Sequence, residues 1–131
     1  MDHSPSIIIF VCNWDGLSCI ETAAQKRMTI PASAKIIRVS CLSRVHAGLI
    51  LKALELGADG VMLLGCDLNN CHFGVDEDRV SKQFDIAQEM MHLLGIDTGR
   101  LILVRLQHGD AYGFIKRINE FVQRFAQLPA T

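Results

Sequence analysis

The chain has 131 residues, half of them hydrophobic, so it is long enough to bury one core without disulfide staples. Its formal net charge of -1, with no basic stripe or polybasic tail, excludes nucleic acid as the expected partner, because phosphate binding needs clustered Lys and Arg. The N-terminal MDHSPS lacks a signal peptide's basic n-region, and every apolar run falls well short of the roughly 20 residues that span a bilayer, so a cytoplasmic protein with no membrane span is expected.

Residues 1–131 read as a single domain with residues 1–5 as a flexible tail; no linker, low-complexity tract or repeat divides them. The run SIIIFVC (6–12) is β-branched and continuous, as expected of a parallel strand buried on both faces. A short loop, NWDGL, follows. Ser18-Cys19-Ile20-Glu21 then has the form of a capping box, which predicts a helix start, with Ile20, Ala23, Ala24 and Met28 as the inner face and Pro31 as the stop.

KIIRVSC (35–41) is the second predicted strand. Its following helix carries Val45, Leu49, Ala53 and Leu56 on one face and stops at Gly57. GVMLLGC (60–66) is the third strand. After a loop of about a dozen residues comes a helix with Val80, Phe84, Ala87, Met91 and Leu94 at 3.6-residue spacing, ending at Gly95. RLILVRL (100–106) is the fourth strand. Asp110 is a candidate cap for the last helix, whose stripe is Phe114, Ile118, Phe121 and Phe125; Pro129 lies beyond it.

Strand and helix thus alternate four times, which predicts α/β architecture with right-handed crossovers. The expected form is a flavodoxin-like open three-layer sandwich with a four-stranded parallel sheet in the order 2-1-3-4.

The five cysteines, an odd count, carry the chemistry. In a reducing compartment, clustered cysteines mean metal or redox chemistry more often than structural disulfides. Cys12, Cys41 and Cys66 each close a different predicted strand, and the C-terminal ends of parallel strands share one edge of the sheet. Neighbouring strands lie about 4.8 Å apart, so thiols on strands 2, 1 and 3 fall within roughly 10 Å of one another. That edge is also where open α/β sheets bind ligands. Cys71, in the loop after Cys66, can fold back as a fourth. Four convergent thiolates suit zinc or an iron–sulfur cluster, and the C-x₄-C step from Cys66 to Cys71 is also found in plant-type 2Fe–2S proteins. Cys19, expected in the first turn of the first helix, reads as a neighbour of this group more than a member.

Several motifs stand in order along about residues 7 to 126: Cys12-Asn13-Trp14; Arg38-Val39-Ser40-Cys41 with Arg44-Val45; Gly57-Ala58-Asp59-Gly60-Val61; Gly65-Cys66; and Cys71-His72. In these the chain resembles the iron–sulfur delta subunit of methyl-viologen-reducing (non-deazaflavin-reducing) hydrogenase, which links hydrogenase to heterodisulfide reductase. The resemblance implies a 2Fe–2S cluster, with Cys12, Cys41, Cys66 and Cys71 as its candidate ligands. It implies a non-catalytic electron-transfer subunit working within a hetero-oligomer. Electrons would pass from a hydrogenase, a formate dehydrogenase or another oxidoreductase to the flavin subunit of a heterodisulfide-reductase-like, electron-bifurcating complex. Many members of that family have a second cysteine directly after Cys-Asn-Trp; here Asp15 stands there, so Asp15 and Cys19 are alternatives for the fourth ligand.

Around the cysteines, Trp14 is expected to shield the cluster, anchor a partner or pack over the sheet edge. Arg44 is either a cation near the cluster or a solvated loop residue, and His72 a hydrogen-bond donor to sulfur or to a partner. A Rieske-like site would need two histidines, His72 and His46, and is not the expectation. His108 is expected to face solvent. The first strand–helix turn lacks the G-x-G-x-x-G of dinucleotide folds and a Walker lysine, and no Ser–His–Asp set stands out. Two other readings remain open on the same cysteines: a zinc-stabilised interaction module, and a thiol–disulfide redox protein using Cys66 and Cys71.

Overall fold

The computed structural model describes residues 6–12, 15–30, 34–39, 42–66, 77–107 and 109–126, with the backbone alone at residues 15, 43, 66, 77, 78 and 126. The expected tail at 1–5, the loop after Cys66 and Pro129 lie outside the described residues.

Four strands alternate with four helices. In chain order they are β1 (Ile7–Cys12), α1 (Asp15–Gln25), β2 (Ala34–Val39), α2 (Ala47–Glu55), β3 (Gly60–Cys66), α3 (Glu77–Leu93), β4 (Leu101–Leu106) and α4 (Ala111–Ala126). All strand pairs are parallel and the sheet order is β2-β1-β3-β4. This is the α/β, flavodoxin-like arrangement read from the alternating pattern.

The two central strands are buried on both faces, which is why they read as unbroken apolar runs. Ile7, Ile9 and Val11 of β1 join Met62 and Leu64 of β3 on the side of α1 and α4. Phe10 of β1 joins Val61 and Leu63 of β3 on the side of α2 and α3. The α4 stripe is as its periodicity predicts: Phe114, Ile118, Phe121 and Phe125 are all buried. Burying each such side chain contributes about 1.5–3 kcal/mol. Lys116, Arg117, Glu120, Gln123 and Arg124 form its solvated face. Strand β2 is an edge, and its middle is open, with Ile36 39% and Ile37 42% exposed.

Helix α1 corrects two expectations. It begins at Asp15 rather than at a Ser18 cap, so Ser18 lies inside it. Its hydroxyl instead accepts a hydrogen bond from the Gly109 N–H at 2.9 Å, tying α1 to the segment after β4. Of the expected inner face, Ile20 and Ala23 are buried and Met28 packs against the core, but Ala24 is exposed; Gly16 and Cys19 complete the buried face. The helix also stops well before Pro31. Arg27 adopts φ 56°, its N–H donates to the Ala24 carbonyl at 3.0 Å, and Met28 N–H donates to the Ala23 carbonyl at 2.9 Å. These two bonds form a Schellman motif with arginine in the left-handed position. The same pair of bonds closes α2 at Gly57 and α3 at Gly95, the two stops expected from sequence.

Helix α2 corrects a third. Val45 is buried but precedes the helix, Leu49 is 36% exposed and Leu56 is 74% exposed. The inward face is Ala47, Ile50 and Ala53. The segment is apolar nearly all round, so periodicity alone did not fix its phase; the cap at His46 does, its Nδ1 accepting from the Leu49 N–H at 3.2 Å. On α3, Val80, Ala87 and Met91 are buried and Phe84 partly so, but Leu94, past the helix end, is 66% exposed. No described helix is long and apolar enough to cross a membrane.

Candidate functional site

The C-terminal edge of the sheet is built by register. Cys12, the last residue of β1, pairs with Val39, the last of β2, and Cys41 follows Val39 by two residues. On the other side Val11 pairs with Leu64, and β3 continues two residues past that pair to its last residue, Cys66, which pairs with Leu106 of β4. The backbone positions of Cys12 and Cys66 therefore end neighbouring central strands. Cys41 and Cys71 lie outside the described residues, as does the side chain of Cys66. Trp14, His72 and His108 lie outside them too, as does the side chain of Asp15.

Cys12 is 2% exposed. Its Sγ accepts a hydrogen bond from the N–H of Gly16 at 3.3 Å, in the first turn of α1. The first N–H groups of a helix have no intrahelical acceptor, so a sulfur placed there meets a donor already aimed at it. The helix dipole adds positive potential at the same end.

Gly16 is the residue that sequence reasoning missed. A Cβ on it would lie 2.7 Å from the Leu64 carbonyl oxygen, 2.8 Å from Val11 Cγ2 and 3.2 Å from Cys12 Sγ. The first turn of α1 thus rests directly on the ends of β1 and β3. The available signal was a glycine four residues after a strand-closing cysteine, where a helix must come close to a sheet.

Cys19 is 0% exposed and belongs to the core between the sheet and α1 and α4, with Ile7, Val11 and Leu64. Its thiol donates to the carbonyl of Gln107 at 3.2 Å, just past β4. This is the environment of a packed residue beside the edge. Arg44 ends a short 3-10 turn and is exposed, and His46 is the exposed cap of α2. Among the described residues no three His, Cys, Asp or Glu side chains form a metal-binding group; of the five cysteines, that set includes the side chains of Cys12 and Cys19.

A family model described as "Methyl-viologen-reducing hydrogenase, delta subunit" matches residues 7–129. Among curated relatives, the chain is 37% identical over 124 residues to the iron-sulfur subunit of the vhc F420-non-reducing hydrogenase of Methanococcus voltae, covering 95% of this chain and 86% of that protein. It is 31% identical over 120 residues to the iron-sulfur subunit of the F420-non-reducing hydrogenase of Archaeoglobus profundus, covering 92% and 88%. It is also 32% identical over 124 residues to one polypeptide of the ferredoxin/F(420)H(2)-dependent CoB-CoM heterodisulfide reductase of Methanosarcina acetivorans. There the match covers 95% of this chain, which spans 16% of that protein's length.

Proposed function

The chain belongs to the methyl-viologen-reducing hydrogenase delta-subunit family, and from that premise we propose that it is a non-catalytic electron-transfer subunit carrying a 2Fe–2S cluster. Cys12, Cys41, Cys66 and Cys71 would hold the cluster at the C-terminal edge of the sheet. When bound, the cluster supplies one-electron chemistry; the chain supplies thiolates, burial and hydrogen bonds that set the potential.

The observation that carries this reading is the sulfur of Cys12, buried at the end of a central strand with a backbone N–H aimed at it. The fit is chemical. A thiolate withdrawn from water needs a compensating donor, and an N–H to sulfur is a recurrent support for cluster ligands. Cys66 ends the adjacent strand, and Cys41 follows the end of the strand on the other side.

The relatives support membership of an electron-transfer assembly. One unit of about this length makes up most of the iron-sulfur subunit in the named hydrogenases and forms part of a much longer polypeptide in the heterodisulfide reductases. A module found on both sides of such a pair suits a relay between them. In our reading the chain works within a hetero-oligomer, accepting electrons from a hydrogenase, a formate dehydrogenase or another oxidoreductase. It passes them to the flavin subunit of a heterodisulfide-reductase-like, electron-bifurcating complex.

Metal and acid-labile sulfide analysis of anaerobically purified chain, with its visible spectrum, tests the cofactor. Brown protein with two iron and two sulfide per chain, about the 2Fe–2S composition, supports the proposal. Colourless protein holding zinc would replace it with a zinc-stabilised interaction module. Metal-free protein with a reducible Cys66–Cys71 disulfide would replace it with a thiol–disulfide redox protein.

A further inference from the structure

The contact between Gly16 and Cys12 has two parts that a single residue supplies together. One is a donor: the Gly16 N–H lies 3.3 Å from Cys12 Sγ in a buried setting. The other is a space: the absent Cβ would meet the Leu64 carbonyl at 2.7 Å and Val11 Cγ2 at 2.8 Å. The Leu64 oxygen is backbone and Val11 is a β-branched core residue with 0% exposure, so neither can withdraw. Any side chain at 16 would lift the first turn of α1 and carry the N–H away from the sulfur.

We infer that Gly16 is a positioning residue for the Cys12 sulfur. Glycine is needed there so that α1 can sit low enough for a main-chain donor to hold and partly neutralise that sulfur. The consequence for redox rests on the cluster reading above. A hydrogen bond to a ligand sulfur strengthens as the sulfur gains negative charge, so it favours the reduced state and raises the potential.

The sequence itself supplies a route to the test. Cys19 lets a synthetic segment 1–18 be joined to expressed 19–131 at a native cysteine. The full-length chain is assembled twice, once all-amide and once with glycolic acid in place of Gly16. That change turns the N–H into an ester oxygen and adds no Cβ. After anaerobic loading with iron and sulfide, the midpoint of each is read by EPR-monitored titration.

The ester chain should be harder to reduce, with the reduced-to-oxidised ratio at fixed potential lower by about tenfold, or ~59 mV for one electron. The visible spectrum and far-UV circular dichroism should stay as in the all-amide chain. Equal midpoints would overturn the inference. A second readout needs no cluster: amide hydrogen exchange at Gly16 in the metal-free chain. Slow exchange in the natural sequence, about tenfold faster in Cys12→Ala, upholds the positioning role, since first-turn amides otherwise lack acceptors. Equal exchange rates would overturn it. An all-amide chain that takes up no iron defeats the cluster reading alone, and the exchange comparison still decides the role of Gly16.

Discussion

The thiol of Cys19 donates to the backbone carbonyl of Gln107 at 3.2 Å, across 88 residues of sequence. Beside it Ser18 accepts from Gly109 at 2.9 Å. Two consecutive residues of α1 therefore stitch that helix to the turn after β4, which gives the Cys19 thiol a structural contact of its own.

Cys19→Ala should accordingly keep the cluster and lose stability. The expected cost is about 1–2 kcal/mol for a small core void and a lost weak hydrogen bond. Urea unfolding checks the stability, and iron content per chain checks the cluster. Loss of iron in this variant alone would place Cys19 among the ligands.

Arg27 sits in the left-handed region at φ 56°, in the position that glycine takes at the ends of α2 and α3. A side chain there costs about 1–2 kcal/mol relative to right-handed backbone, partly offset by glycine's freedom in the unfolded chain. Arg27→Gly should therefore stabilise the fold by about 0.5–1 kcal/mol. Thermal unfolding of the variant measures it, and a fall in stability would contradict the assignment of the helix end.

Asp110 caps α4, its carboxylate accepting from the Gly113 N–H at 2.9 Å. Asp110→Ala should cost about 1 kcal/mol, the usual value of a lost cap, and Asp110→Asn or Asp110→Ser should restore most of it. A denaturation series across the three variants tests this; equal losses in all three would mean that the carboxylate acts through something other than its capping oxygen.

These particulars show where the sequence was legible. The stripe Phe114, Ile118, Phe121 and Phe125 could be read because polar residues separate its members, leaving one phase. The runs of β1 and β3 were legible because burial on both faces leaves them unbroken. The phase of α2 was hidden, since Leu49, Ile50, Leu51, Leu54 and Leu56 fit several faces equally. The capping-box form at Ser18 misled because the same spacing occurs inside a helix, where a serine can serve a distant segment. Arg27 was invisible because a non-glycine residue in that conformation carries no compositional mark.

At the site, the alternation of strands placed Cys12 and Cys66 on one edge before any geometry was known, and their backbone positions are there. Cys19 is as buried as Cys12, so burial alone does not separate a ligand from its neighbour. Gly16 left only a faint mark, a glycine four residues after a strand-closing cysteine; how closely α1 approaches β3 there is a distance no local pattern encodes.

Whether Cys12 holds a one-electron iron–sulfur centre is decided by EPR spin quantitation on dithionite-reduced protein, with Cys12→Ala and Cys19→Ala beside it. An S = 1/2 signal of about one spin per chain is expected in the unaltered chain and in Cys19→Ala, and its loss in a folded Cys12→Ala. A spectrum silent in all three, or unchanged by Cys12→Ala, would contradict that expectation.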